Sequence, residues 1–112
     1  MVAPVSTCTE YFAKLDERLV SSELGDVSAT FQYNLTGAEG GEWYVSFANG
    51  AMTVQQGTAE KANVTYTMDA AEYIRMANGD LDGTKAYMMR KLKVKGNLAM
   101  AQRLKKILPP AK

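Results

Sequence analysis

The chain has 112 residues, of which 46% are hydrophobic, enough for one globular domain with its own core. One cysteine and no histidine exclude an intrachain disulfide and the side chain that most often serves enzymes as general base. The net charge of +1 conceals an asymmetry, since all twelve acids lie at or before Asp82 and most lysines and arginines follow it. This basic C-terminal part favours an anionic partner, unless the two parts simply neutralise each other across the fold.

The first predicted element is a helix over residues 5–22. Cys8, Phe12 and Leu15 recur at the spacing of one helical face. Because no histidine is present to activate its thiol, Cys8 is predicted to be a small buried side chain and not a nucleophile.

Four runs of alternating apolar and polar residues then predict four β-strands. They are residues 29–36, the run with Trp43, Val45 and Phe47, the run with Met52 and Val54, and residues 63–68. Asn49-Gly50 is the favoured pair for a type I′ turn. Because the connections are short, an antiparallel meander is the most economical arrangement of these strands.

The last part of the chain predicts two short helices, a strand and a final helix. The helices cover residues 69–78 and 84–89, and between them Asp80 and Asp82 lack the other ligands of a calcium loop, so no metal site is predicted.

Residues 91–95 alternate between lysines and apolar side chains, which predicts a basic strand. After Gly96-Asn97 the apolar residues recur at helical spacing until Pro109-Pro110 ends the helix. Residues 109–112 are predicted to form the tail of a single domain that covers residues 1–112.

Several segments, in this order, resemble the sterol carrier protein type 2 (SCP2) domain family. They are Trp43 with the alternating residues up to Asn49-Gly50, and residues 62–69, 76–82, 86–88 and 91–97. The resemblance implies an α/β (α+β) fold, in which a five-stranded, largely antiparallel sheet is covered on one side by helices and encloses an apolar lipid tunnel. The family often has glycine where this chain has Arg90, so the turn before the basic strand is expected to differ.

From the pattern alone, the methionine and aromatic side chains would simply fill a core. The resemblance instead implies that some of them line the tunnel, where flexible methionines suit ligands of variable shape. The residues expected to line it are Trp43, Phe47, Tyr66, Met68, Ile74, Met76, Leu81, Tyr87, Met88, Leu92, Val94, Met100 and Leu104. Those expected to contact a lipid head group or an anionic membrane are Arg90, Lys91, Lys93 and Lys95.

The function implied by the resemblance is non-catalytic binding or transfer of a fatty acid, fatty acyl-CoA, sterol or phospholipid. No cofactor or metal is expected besides the bound lipid, and the chain is expected to be a monomer or weak dimer that contacts anionic membranes transiently. The acidic first part of the chain argues against a nucleic-acid partner. The alternative is a protein-interaction or dimerisation module with a filled core. A cytoplasmic location is expected, since no signal peptide, transmembrane run or complete peroxisomal C-terminal signal is present.

Overall fold

The fold is organised around a five-stranded sheet with the strand order β3-β2-β1-β4-β5. The computed structural model describes residues 5–38 and 40–108. Its strands are β1 (Ala29–Thr36), β2 (Gly41–Ala48), β3 (Ala51–Gln56), β4 (Val64–Asp69) and β5 (Leu92–Gly96). Its α-helices are α1 (Cys8–Ala13), α2 (Ala70–Ala77), α3 (Gly83–Met88) and α4 (Leu98–Ile107). The predicted sheet with helices on one side is confirmed.

One pairing in this sheet differs from the predicted meander. Strands β1 to β3 are joined antiparallel, and β5 pairs antiparallel with β4, but β4 lies parallel to β1. A parallel neighbour requires the chain to cross the sheet. The segment that crosses lies between β3 and β4 and is held by Gln32 of β1. The Gln32 side-chain nitrogen donates to the Gly57 carbonyl at 3.2 Å, and its side-chain oxygen accepts from the Ala59 amide at 2.8 Å. The sheet is therefore mixed.

Alternation along the strands separates an inner, apolar face from an outer, polar face. Phe31, Val45, Phe47 and Val64 on the inner face are almost completely buried. Phe12 of α1 packs edge-on against Tyr33 of this face, with ring centroids 5.3 Å apart. The helices therefore cover the inner face and complete the core.

The helix predicted over residues 5–22 is wrong in its length. Its α-helical part ends at Ala13, and 3₁₀ turns follow at Leu15–Arg18 and Ser21–Glu23. A 3₁₀ turn has three residues per turn, so Leu15 and Arg18 face the same way and both are buried. The tighter turn thus directs Arg18 towards the protein interior. Cys8 is buried on α1 as predicted.

The turn between α3 and β5 keeps the backbone that a glycine would give. Arg90 has a φ of 62°, in the left-handed region, so the expectation of a different turn is wrong. The Asn49-Gly50 turn is confirmed, with φ angles of 55° and 74°. The predicted helix end at Pro109 and the tail over residues 109–112 lie outside the described residues.

Candidate functional site

A cavity of about 560 Å³ lies between the inner face of the sheet and the helices. Its sheet wall is formed by Tyr33 of β1, Tyr66 of β4, and Leu92 and Val94 of β5. The other lining residues are Tyr11, Arg18, Tyr73, Met76, Ala77, Gly79, Asp80, Leu81, Asp82, Gly83, Thr84, Tyr87, Leu98, Ala101, Gln102, Leu104, Lys105 and Leu108. Most of this wall comes from α2, α3, α4 and the loop before α3.

Each helix of this wall begins with a side chain that caps it. The Asp69 carboxylate accepts from the amides of Ala71 and Glu72 at the start of α2, and the Asn97 side chain accepts from the Met100 amide at the start of α4. The Asp82 carboxylate caps α3, and the hydrogen bonds that it accepts from the amides of Lys85 and Thr84 lower its pKa. These caps fix the residue at which each helix begins, and thereby which of its side chains face the cavity.

Four tyrosines form a cluster at the inner part of the cavity. The ring centroids of Tyr11 and Tyr73 are 5.2 Å apart, those of Tyr33 and Tyr66 are 5.2 Å apart, and those of Tyr33 and Tyr73 are 5.7 Å apart. Burial raises the pKa of all four hydroxyls above the ordinary tyrosine value. The hydroxyls are therefore neutral at physiological pH and keep the protons with which they donate hydrogen bonds, as they do among Tyr11, Tyr33 and Tyr73.

A buried cation lies beside this cluster. Arg18 is 3% exposed, its guanidinium donates to the Ala77 carbonyl at 2.8 Å, and its Cζ lies 5.0 Å from the centroid of the Tyr11 ring. Guanidinium groups keep their charge under all physiological conditions. The inner wall of the cavity therefore combines aromatic surface with one fixed positive charge and several hydroxyl groups.

The wall of the cavity includes exposed residues of α3 and α4, and this side of it is called the mouth. Tyr87 of α3 and Leu98 of α4 both line it and are both exposed. On this side the Lys105 Nζ of α4 donates to the Thr84 Oγ1 of α3 at 3.4 Å. Asp80 and Asp82 lie on the rim before α3, so the mouth has an acidic and a basic side.

The structure places some of the residues expected to line a tunnel in this cavity and others elsewhere. Those that line it are Tyr66, Met76, Leu81, Tyr87, Leu92, Val94 and Leu104. Phe47 and Met68 are buried in the packed core, and Trp43 stacks on Phe12 with ring centroids 4.7 Å apart. Ile74 and Met100 are partly buried against the core, and Met88 is exposed. Binding of lipid by any of them stays a prediction.

The four basic residues expected near the tunnel do not lie together. Lys93 and Lys95 pair with Thr67 and Thr65 on the outer face, on the other side of the sheet from the cavity. The Lys91 Nζ lies 3.4 Å from a carboxylate oxygen of Glu72. Among the four, Arg90 is the residue closest in sequence to the exposed end of α3. The geometry therefore does not support Lys93 and Lys95 as residues of the cavity mouth.

Among the cavity residues that were missed in the sequence, Tyr11, Arg18, Tyr33 and Tyr73 form its buried inner wall. A signal existed for Arg18, because it lies seven residues after Tyr11 on the face that also carries Leu15. A cation on an apolar helix face indicates a buried charge with a specific partner. Tyr33 likewise alternates with buried Phe31 and Leu35.

Within residues 5–38 and 40–108, no group of three or more Asp, Glu, His or Cys side chains is placed to hold a metal ion. Over the same residues, none of the helices has the length and apolar character required to cross a bilayer.

Comparison with known proteins identifies the family. The family model of the SCP-2 sterol transfer family matches residues 10–109. The chain is similar to hydroxysteroid dehydrogenase-like protein 2 of Xenopus tropicalis, with 37% identity over 97 residues, which are 85% of this chain and 23% of that protein. The chain thus spans about a quarter of the length of this relative.

Solved structures show the same fold. The sec-alkylsulfatase Pisa1 from Pseudomonas sp. matches with a TM-score of 0.79 and 20% identity, over 92% of this chain and 16% of that one. Palmitated SCP2L2 from Aedes aegypti matches with a TM-score of 0.65 and 22% identity, over 86% of this chain and 92% of that one. With the sequence match over nearly its whole length, the chain belongs to the SCP-2 sterol transfer family and has that family's lipid-binding fold.

Proposed function

We propose that this domain binds one lipid molecule in the cavity, as a carrier of a fatty acid, fatty acyl-CoA, sterol or phospholipid. The observation that carries the proposal is the cavity of about 560 Å³ with tyrosine, leucine, methionine and valine side chains in its wall. This volume lies within the range of about 300–1,000 Å³ typical of small-molecule sites. The palmitated SCP2L2 structure supports an acyl chain as the occupant of the same fold.

Burial of hydrocarbon provides the driving force for binding. Each methylene removed from water contributes about 0.8 kcal/mol, so eight methylenes contribute roughly 6 kcal/mol before the cost of association. The lipid's hydrocarbon would lie along Leu92, Val94 and Leu104. Arg18 and the tyrosine hydroxyls can meet a polar or anionic group at the inner end, since burial strengthens charge-assisted hydrogen bonds.

A substitution that fills the cavity tests this proposal. Ala101 of α4 lines the cavity, whereas Ala99, two residues earlier on the same helix, is exposed and does not. Ala101→Trp should exclude at least about two methylenes and weaken fatty-acid binding about tenfold or more. Ala99→Trp should bind like the wild type. Titration of a fluorescent fatty acid, followed by displacement with acyl-CoA, sterol or phospholipid, measures both effects.

The results also identify the ligand class. The lipid class that displaces the fluorescent fatty acid at the lowest concentration is the preferred ligand. If the wild-type domain takes up no lipid of any class, or if Ala101→Trp binds as tightly as Ala99→Trp, the cavity is not the binding site.

A second role is favoured by the similar proteins, in which the matched domain is 23% or 16% of a longer chain. In such a chain we infer that the domain would present a lipid substrate to a catalytic domain and would not itself catalyse a reaction. Comparing turnover of free and domain-bound lipid by such a catalytic partner tests this role, and equal turnover would argue against it.

A carrier also exchanges its lipid at a bilayer, so we propose transient contact with an anionic membrane in the cytoplasm.

A further inference from the structure

Large apolar side chains are exposed beside the mouth of the cavity. Tyr87 is 48% exposed, Met88 75%, Met89 61% and Leu98 55%. Tyr87 and Leu98 also line the cavity, and Met88 and Met89 follow Tyr87 directly at the end of α3. These four side chains are called the mouth patch here. Exposed apolar side chains grouped in this way mark an interaction surface, because monomeric soluble proteins seldom expose several large apolar side chains together.

The charges on α3 and in the turn after it, next to the exposed methionines, are positive, whereas the acidic side of the mouth lies before α3. Residues 83–108 contain no Asp or Glu. Lys85 lies one helical turn before Met88 and Met89, and Arg90 follows Met89 directly, so both cations adjoin the exposed methionines. Both are exposed. The acids of the rim, Asp80 and Asp82, precede α3, and the Asp82 carboxylate accepts hydrogen bonds from the first amides of that helix.

Apolar side chains flanked by cations match the chemistry of an anionic bilayer surface. Transfer of methionine and tyrosine side chains from water to the boundary between head groups and acyl chains is favourable. Each nearby lysine or arginine is attracted to anionic phospholipid. A nucleic acid would use the cations but would leave Met88 and Met89 in water. The combination therefore favours a membrane as the partner.

We propose that the mouth patch docks the domain on an anionic phospholipid membrane, with Met88 and Met89 entering the head-group layer and Lys85 and Arg90 contacting lipid phosphates. The inference rests on the proposed lipid binding, which it deepens. Docking in this orientation turns the mouth beside Tyr87 and Leu98 towards the bilayer, so a lipid passes between membrane and cavity with little exposure to water.

A matched pair of charge reversals separates this surface from general charge attraction. Lys85→Glu with Arg90→Glu changes the mouth, whereas Lys93→Glu with Lys95→Glu makes the same change in net charge on the outer face of the sheet. Co-sedimentation with phosphatidylcholine vesicles, with and without phosphatidylglycerol, measures the partition of each variant. The mouth variant should bind anionic vesicles at least about 30-fold more weakly, since the loss of each cation near the surface costs about fivefold and each new carboxylate is repelled. The outer-face variant should lose much less of its affinity for anionic vesicles.

The apolar part is tested by Met88→Ser with Met89→Ser, which should weaken partition about tenfold, also at high salt, where charge attraction is screened. Equal losses for the two charge variants would overturn the proposal. So would a wild-type domain that ignores anionic vesicles. Loss of a dimer in the methionine variant, seen by size-exclusion chromatography, would instead make the patch a self-association surface and would also overturn it.

Uptake of a fluorescent fatty acid in vesicle-free buffer keeps this inference distinct from the proposed function. Lys85, Met88, Met89 and Arg90 do not line the cavity, so all variants should take up the fatty acid like the wild type. Vesicle docking without fatty-acid uptake would refute lipid carriage while retaining the docking surface. Uptake without docking would refute the docking surface alone.

Discussion

Arg90 occupies a backbone conformation that costs free energy. Its φ of 62° lies in the left-handed region, where a side chain other than glycine is disfavoured by about 1–2 kcal/mol. Arg90→Gly should therefore raise the free energy of unfolding by about 0.5–1 kcal/mol, after the greater chain entropy of glycine in the unfolded state is subtracted. Denaturant unfolding measures this difference.

Asn49 provides the comparison for Arg90, because its φ of 55° is also left-handed. Asparagine tolerates this region better than arginine does, so Asn49→Gly should stabilise the fold by a smaller amount. A less stable Arg90→Gly variant would show that the arginine side chain contributes more to folding than its backbone costs. Arg90→Gly should also bind anionic vesicles more weakly. The arginine therefore lowers the stability of the fold and supplies a cation beside the mouth.

The residues that line the cavity were only partly predictable from the sequence. Alternation identifies Tyr66, Leu92 and Val94 as inward-facing, and the structure places all three in the cavity wall. The same alternation places Lys93 and Lys95 on the opposite face, so it already argued against these lysines as mouth residues. Whether an inward side chain faces a cavity or fills the core, as Phe47 does, depends on the packing of distant elements, which periodicity does not contain.

At the scale of elements, the junction of β4 and β5 depends on one glycine. Gly96 has a φ of 113°, and a Cβ placed there would clash with the Asn63 carbonyl oxygen. Gly96→Ala should therefore force the two strands apart and destabilise the fold by at least about 2 kcal/mol. Because β5 carries Leu92 and Val94 of the cavity wall, fatty-acid binding should weaken in the same variant.

Gly50→Ala is the matched control for this prediction. Gly50 also has a positive φ, of 74°, but nothing lies within 4 Å of a Cβ at this position. The control should lose only the backbone term of about 1 kcal/mol and should retain fatty-acid binding. Equal unfolding midpoints for the two variants would contradict a steric role for Gly96.

The order of elements was predictable to different degrees. The strand over residues 29–36 was predicted correctly because strict alternation is a local signal. The α-helical part of the first segment is much shorter than predicted, since the same apolar spacing is compatible with 3₁₀ turns that bury Leu15 and Arg18. The parallel pairing of β4 with β1 was missed, because alternation specifies the faces of a strand and not its neighbours.

For the whole molecule, the buried tyrosines predict a loss of stability at alkaline pH. Burial raises the pKa of Tyr11, Tyr33, Tyr66 and Tyr73 in the folded state, so the unfolded chain ionises first, from about pH 10. The unfolded state then binds fewer protons, and the free energy of unfolding falls as pH rises, by up to about 1.4 kcal/mol per pH unit for each such tyrosine. Below pH 10 this contribution is fully present.

Unfolding by denaturant between about pH 9 and pH 11 measures this slope. Tyr73→Phe should make the slope shallower, because one hydroxyl that ionises in the unfolded chain has been removed. A slope unchanged by this substitution would show that other groups cause the alkaline loss.

The position of the cavity has a consequence for engineering this domain. Residues 73–108 supply most of its wall, whereas β2 and β3 supply none of the described lining residues. The most deeply buried side chains, such as Phe31, Val45 and Phe47, lie outside that wall. Replacing residues 73–108 by the corresponding segment of a relative would therefore exchange most of the cavity wall and leave Phe31, Val45 and Phe47 in place, so ligand preference should follow the C-terminal third of the domain.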